Sequence, residues 1–123
     1  MPRMLLPLVL SSVLLGCGGP GGQTTGAAPL TCAAVAPTAC TVEPPPRYAQ
    51  IAGIVHDRCV PCHDGVDPLG PWPLTSYEDV ADWNDIVRDE LVACTMPPPD
   101  GGVTIPDEER QALLMWLRCG FLE

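Results

Sequence analysis

The 123-residue chain contains no lysine; its six basic residues are all arginine, set against 15 acidic ones for a formal net charge of −9. That balance argues against nucleic acid, whose affinity rests on clustered cations facing phosphates. It argues equally against a basic patch for anionic lipid. An acidic surface serves solubility, or a partner with a basic docking face. The chain also lacks alternating apolar and polar positions and internal repeats, so nothing points to a sheet or a solenoid. Its apolar run, Met4 to Leu15, is interrupted by Pro7 and is too short to span a bilayer as a helix. No second CxxC and no HxxxH is present, which leaves a tetrahedral zinc site two ligands short. No catalytic acid, base or substrate pocket can be read from the residues, and no enzyme is expected.

The amino terminus reads as an address. Arg3 supplies a positive start, and residues 4–15 have the length of a signal-peptide core. The run ends in Leu14-Leu15-Gly16-Cys17, which resembles a bacterial lipobox. The resemblance implies cleavage before Cys17, a lipid on its sulfur and export, to the bacterial periplasm or the cell surface. An ordinary secretory signal is the alternative. Residues 1–16 are thus read as signal peptide, and removal of Arg3 leaves a formal charge near −10. Residues 17–46 are rich in Gly, Pro, Ala and Thr, opening with Gly18-Gly19-Pro20-Gly21-Gly22 and closing with Pro44-Pro45-Pro46. They read as a disordered tether, too poor in apolar residues to order itself. A small loop closed by Cys32 and Cys40 is possible within it.

Cys59-Val60-Pro61-Cys62-His63 carries the chemistry. Two thiols three positions apart, followed directly by histidine, form the attachment pattern for haem c. Each sulfur adds to one vinyl group, and the fixed plane brings His63 beneath the iron as an axial ligand. By chance such a match is expected in fewer than about one chain in a hundred of this composition. A thioredoxin-like redox pair would follow a strand of a βαβ unit, and no such pattern precedes Cys59. Attachment of haem c outside the cytoplasmic membrane agrees with the export signal.

Residues 47–123 are predicted to form one all-α domain of about three helices around a single covalent haem. The first covers about 48–59, with Tyr48, Ile51, Ala52, Val55 and Cys59 on one face. The second starts at Ser76, where Ser76 and Asp79 approximate a capping box. Its stripe runs through Val80, Trp83, Val87, Leu91 and Cys94. The third starts near Thr104 and passes through Leu113, Leu114, Trp116 and Leu117 to a stop at Gly120. Stretches 64–75 and 96–103, rich in proline and glycine, are loops. So small a core argues for a buried cofactor at its centre.

The sixth iron ligand decides between an electron carrier and an open, reactive haem. Met96 leads, in Met96-Pro97-Pro98-Pro99, where prolines hold an extended loop. A gap-filling apolar contact is the plainer role for a loop methionine. Met115, within the third helix, is expected to pack. His56, on the attachment helix itself, is expected at the surface. Cys94 and Cys119 end the second and third helices, and a disulfide between them would brace the ligand loop; buried free thiols are the alternative.

The order Cys59–His63, Gly70-Pro71-Trp72-Pro73-Leu74, Met96-Pro97-Pro98 and a closing helix through Trp116 resembles class I cytochrome c domains. It looks especially like the short versions appended to bacterial lipoproteins. The resemblance spans most of residues 47–123. It implies His63 and Met96 as axial ligands and Cys59 and Cys62 as thioether sites. It implies further that a loop proline carbonyl, Pro71 ahead of Pro68 or Pro73, accepts the His63 Nδ1 hydrogen, and that Trp72 and Leu74 line the haem edge. The usual lysine-rich docking face is missing, so nothing carries over about partners. The expected function is a membrane-tethered electron carrier with redox partner proteins. The alternatives are a haem enzyme or gas sensor with an open sixth site, and a haem-free lipoprotein held by disulfides.

Overall fold

A computed structural model describes residues 32, 34–66 and 70–123. Cys17 and the signal sequence, like Pro68, lie outside the described residues. Four helices follow one another: α1 (Tyr48–Arg58), α2 (Tyr77–Asp82), α3 (Asn84–Ala93) and α4 (Asp107–Arg118). The described residues contain no strand; one isolated bridge pairs Arg47 with Leu122. The domain is all-α. None of its described helices is long and apolar enough to cross a membrane.

The local signals explain where the helices begin. Asp79 N–H donates to Ser76 Oγ at 3.1 Å, and Ser76 N–H returns a bond to Asp79 Oδ2 at 3.1 Å. The Thr75 hydroxyl and amide donate to the same carboxylate, both at 2.9 Å. These donors, the Thr75 side chain foremost, hold the Asp79 carboxyl below its ordinary pKa. At the start of α1, Arg47 N–H donates to Gln50 Oε1 at 2.8 Å. The first turn of α4 carries Asp107, Glu108 and Glu109, and its last turn Arg118, in the sense that suits the helix dipole.

The predicted second helix is broken in two at Trp83, whose φ of −106° and ψ of 17° leave the helical region. Asn84 Nδ2 takes the Ala81 carbonyl at 2.6 Å, a side-chain substitute for a backbone donor. The Trp83 ring meanwhile lies against Trp72, centroids 4.9 Å apart. Apolar spacing continues across the break, which is why the stripe reads as one helix.

α4 packs on both α1 and α3, and α2 packs on α3. The buried core is Ile51, Val55, Leu74, Val80, Leu91, Leu113, Leu114 and Trp116. Trp116 is fully buried, meets Tyr48, Tyr77 and Phe121 with ring centroids 5.8–6.4 Å away, and donates Nε1–H to the Leu122 carbonyl at 2.8 Å. Tyr48 N–H donates to that carbonyl too, at 2.8 Å, so the chain end ties α1 to α4.

The cysteine pairing differs from expectation. Cys32 bonds Cys94 and Cys40 bonds Cys119, with Cα atoms 6.0 and 4.8 Å apart; neither Cys94–Cys119 nor Cys32–Cys40 forms. Helix direction is the reason. Arg110, in the first half of α4, donates to the Leu91 carbonyl near the end of α3. Cys94 therefore sits beside the start of α4. Cys119 lies about nine residues along that helix, roughly 13 Å away, beyond disulfide reach.

The same bonds revise the tether. Residues 34–46 adopt no helix or strand, yet they run along α4 as a strap. Arg118 donates to the Thr38 carbonyl, and the Thr41 hydroxyl lies 4.0 Å from Met115 Sδ. Composition alone does not order this stretch; two cross-links do, across sequence separations of 62 and 79. Each such closure contributes about 4–5 kcal/mol in the chain-entropy account. Non-reducing peptide mapping should therefore recover Cys32–Cys94 and Cys40–Cys119 peptides, and Cys40→Ala with Cys119→Ala should lower the unfolding midpoint. Recovery of Cys94–Cys119 would contradict the antiparallel arrangement of α3 and α4.

Candidate haem site

The last turn of α1 continues into the CxxCH segment. Cys59 N–H donates to Val55 O at 2.9 Å, and His63 N–H to Cys59 O at 3.0 Å. Helical winding brings positions i, i+3 and i+4 to one side, so Cys59, Cys62 and His63 share a face. All three line one open cavity. Trp72 and Leu74 line it as well, as do Trp83, Ile86, Val87 and Leu91 from α2–α3 and Met96, Pro97 and Pro98 from the following loop. The walls are mostly apolar, with Arg58 and Glu90 among the exceptions.

His63 is held from behind. Its Nδ1 lies 2.8 Å from the Trp72 carbonyl oxygen. A carbonyl can only accept, so Nδ1 carries the hydrogen and Nε2 keeps its lone pair, the form a metal-ligating imidazole takes. The expected acceptor was Pro71; the carbonyl used is that of the next residue. Pro71 is exposed and does not line the cavity. The register is set by two close approaches. Leu74 N–H donates to the His63 carbonyl at 2.9 Å. Gly70 lies so tightly on the CxxCH turn that a Cβ there would stand 1.9 Å from the Cys62 carbonyl oxygen. Proline spacing shows that a carbonyl is nearby but not which one turns inward.

The thiols themselves bear on the competing readings. Cys59 is free, and burial pushes its pKa up to about 11. A redox-active CxxC nucleophile needs the opposite shift. Cys62 takes part in a disulfide, and thioether attachment requires that sulfur reduced. No group of three His, Cys, Asp or Glu among the described residues could hold a metal ion, so the zinc reading finds no ligand set there.

Met96 reaches the cavity from the wall that follows α3, with 38% of its surface exposed. Cys94 ends α3 in the left-handed region at φ 59° and turns the chain toward Met96. A non-glycine residue there costs about 1–2 kcal/mol, and the Cys32–Cys94 bond secures it. Met115 and His56 do not line this cavity. Met115 faces the strap, and the exposed His56 bonds Asp57 at 2.8 Å.

Sequence reasoning missed two contributors. Ile86, 41% exposed and off the α3 stripe, was not singled out, yet it lines the cavity. Arg110, which donates to the Met96 carbonyl at 3.0 Å, was missed because a lone arginine in an amphipathic helix carries no signal of burial.

The fit to haem c rests on this donor set: two cysteines and a histidine on one turn, a thioether on another wall, apolar sides between. Gly70→Ala should disrupt it, with a marked fall in unfolding midpoint. Gly53→Ala, where nothing lies within 4 Å of the added carbon, should be neutral or stabilising by up to about 1 kcal/mol. Equal stability of the two variants in thermal denaturation would show that the loop does not close on the CxxCH turn.

Comparison with known protein families, curated proteins and solved structures finds no match for this chain.

Proposed function

We propose that the chain is a mono-haem c-type cytochrome of the class I kind, an electron carrier tethered to a membrane outside the cytoplasm. One observation carries this reading. Met96 lies 33 residues beyond His63 in sequence, yet both line one apolar cavity with Cys59 and Cys62. Haem c supplies reversible one-electron chemistry at its iron when bound. The rest falls to the chain. Cys59 and Cys62 would anchor the macrocycle, His63 Nε2 would be one donor to its iron, and the Trp72 carbonyl fixes the histidine tautomer. Leu74, Val87 and Leu91 would give the macrocycle an apolar lining. Met96 Sδ would be the second donor, which would deny the iron to oxygen and peroxide, and Met/His ligation would raise the potential relative to His/His. Lipid on Cys17 holds the domain at the membrane, and the acidic surface suits partner proteins with basic docking faces.

The disulfide on Cys62 favours a second reading, a haem-free exported protein held together by cross-links. In that case the cavity would have no cofactor to hold.

The Met96 assignment separates a carrier from an open haem enzyme or gas sensor. Ferric wild-type protein, made in a host with haem-attachment machinery, should show the weak near-infrared band of sulfur bound to iron. Met96→Ala should abolish it, lower the potential and let carbon monoxide bind the reduced form, whereas Met115→Leu should do none of these. An unchanged spectrum and potential in Met96→Ala would sink the six-coordinate carrier and favour the open site.

A further inference from the structure

Among the described residues Arg110 is the one charged residue that is buried, with 6% of its surface exposed. Its Nη1 donates to the Leu91 carbonyl at 2.9 Å and to the Met96 carbonyl at 3.0 Å. Nε is buried and has no partner. No carboxylate forms an ion pair with it; Asp107, one turn earlier on α4, contributes only a longer-range field. Burial of an arginine without a counter-ion is costly, and replacing it by an apolar side chain of similar length would relieve that cost. The two carbonyls it joins say what the charge does there. Leu91 O belongs to the last turn of α3, where its backbone partner is a long bond from the Cys94 N–H at 3.3 Å. Met96 O belongs to a loop in which Pro97, Pro98 and Pro99 have no N–H to offer a backbone bond. One guanidinium nitrogen thus pins the ligand loop to the helix that precedes it. It does so from behind, since Arg110 lines a separate cavity with Cys32, Cys94 and Pro97 rather than the one facing His63.

We infer that Arg110 is a positioning residue for the Met96 ligand, holding its backbone against α3 and setting a buried positive charge on the Met96 carbonyl. This rests on the haem reading above. Two consequences follow. Charge-assisted hydrogen bonds resist opening of the loop, so an added ligand must compete with a pinned methionine. A buried cation on the ligand loop would also disfavour the more positive oxidation state of a bound haem iron, which would raise the potential.

Arg110→Gln removes the charge, and Arg110→Lys keeps it while losing the fork. Leu117→Ala, on the same helix, is the control for general loss of stability. In ferric Arg110→Gln the near-infrared sulfur band should weaken. Imidazole should bind its iron roughly tenfold to a hundredfold more tightly than in wild type, the equivalent of losing one or two charge-assisted bonds. The potential should fall, and Arg110→Lys should recover part of each change. Leu117→Ala should lower the unfolding midpoint with band and imidazole affinity unchanged. If Arg110→Gln does not fold, the comparison of Arg110→Lys with wild type decides, with a several-fold gain in imidazole affinity expected. Wild-type protein with the sulfur band, but variants within about twofold of it in imidazole affinity, would overturn the role of Arg110 alone. Wild-type protein without the band would overturn the Met96 reading itself.

Discussion

The 2.8 Å bond between His63 Nδ1 and the Trp72 carbonyl orients the imidazole, and much of the domain is arranged around keeping it. Gly70 must press against the Cys62 carbonyl for the loop to turn back in register. Leu74 must bury itself and return a bond to His63 O. The Trp72 ring lies on Trp83, which stands where α2 gives way to α3. The loop, the helix break and the histidine are therefore one constraint seen from three places. An imidazole with its Nδ1 hydrogen engaged can present only Nε2 to a metal.

The wall that carries Met96 is secured by other means. Three successive prolines leave the loop few backbone donors, and beyond the Gly101 N–H bond to the Pro98 carbonyl at 2.9 Å its restraints come from outside it. Arg110 takes its carbonyl, Cys32 clamps the turn at Cys94, and the strap of residues 34–46 is fastened at its far end by Cys40–Cys119. The carrier reading requires two walls that keep their spacing while iron changes charge, because reorganisation slows electron transfer. A strap held by two disulfides adds restraint where so small a core offers little.

How much of this was legible depended on the range of each signal. Helix periodicity located α1 and α4 within a few residues, and Ser76 and Asp79 marked the start of α2, because these signals act within one turn. The break at Trp83 was hidden, since the ring that accompanies it comes from Trp72, eleven residues away. Trp72 and Leu74, expected at a haem edge, line the cavity, while His63 meets the carbonyl of Trp72 where that of Pro71 was expected. The disulfides were misread for a topological reason: the sequence marks Cys94 and Cys119 as helix ends without saying that the two helices run in opposite directions. Reading residues 34–46 as free chain failed similarly, because their order comes from two distant sulfurs rather than from composition. Arg110 left no local trace at all.

The central claim is that Cys59 and Cys62 are thioether-linked to one haem. Intact mass under denaturing conditions tests it most directly, on reduced and alkylated protein made in a host able to attach haem. The account predicts the chain plus one haem, with neither Cys59 nor Cys62 alkylated. A chain of unmodified mass, with both cysteines alkylated after reduction, would contradict it and leave a disulfide-held domain in its place.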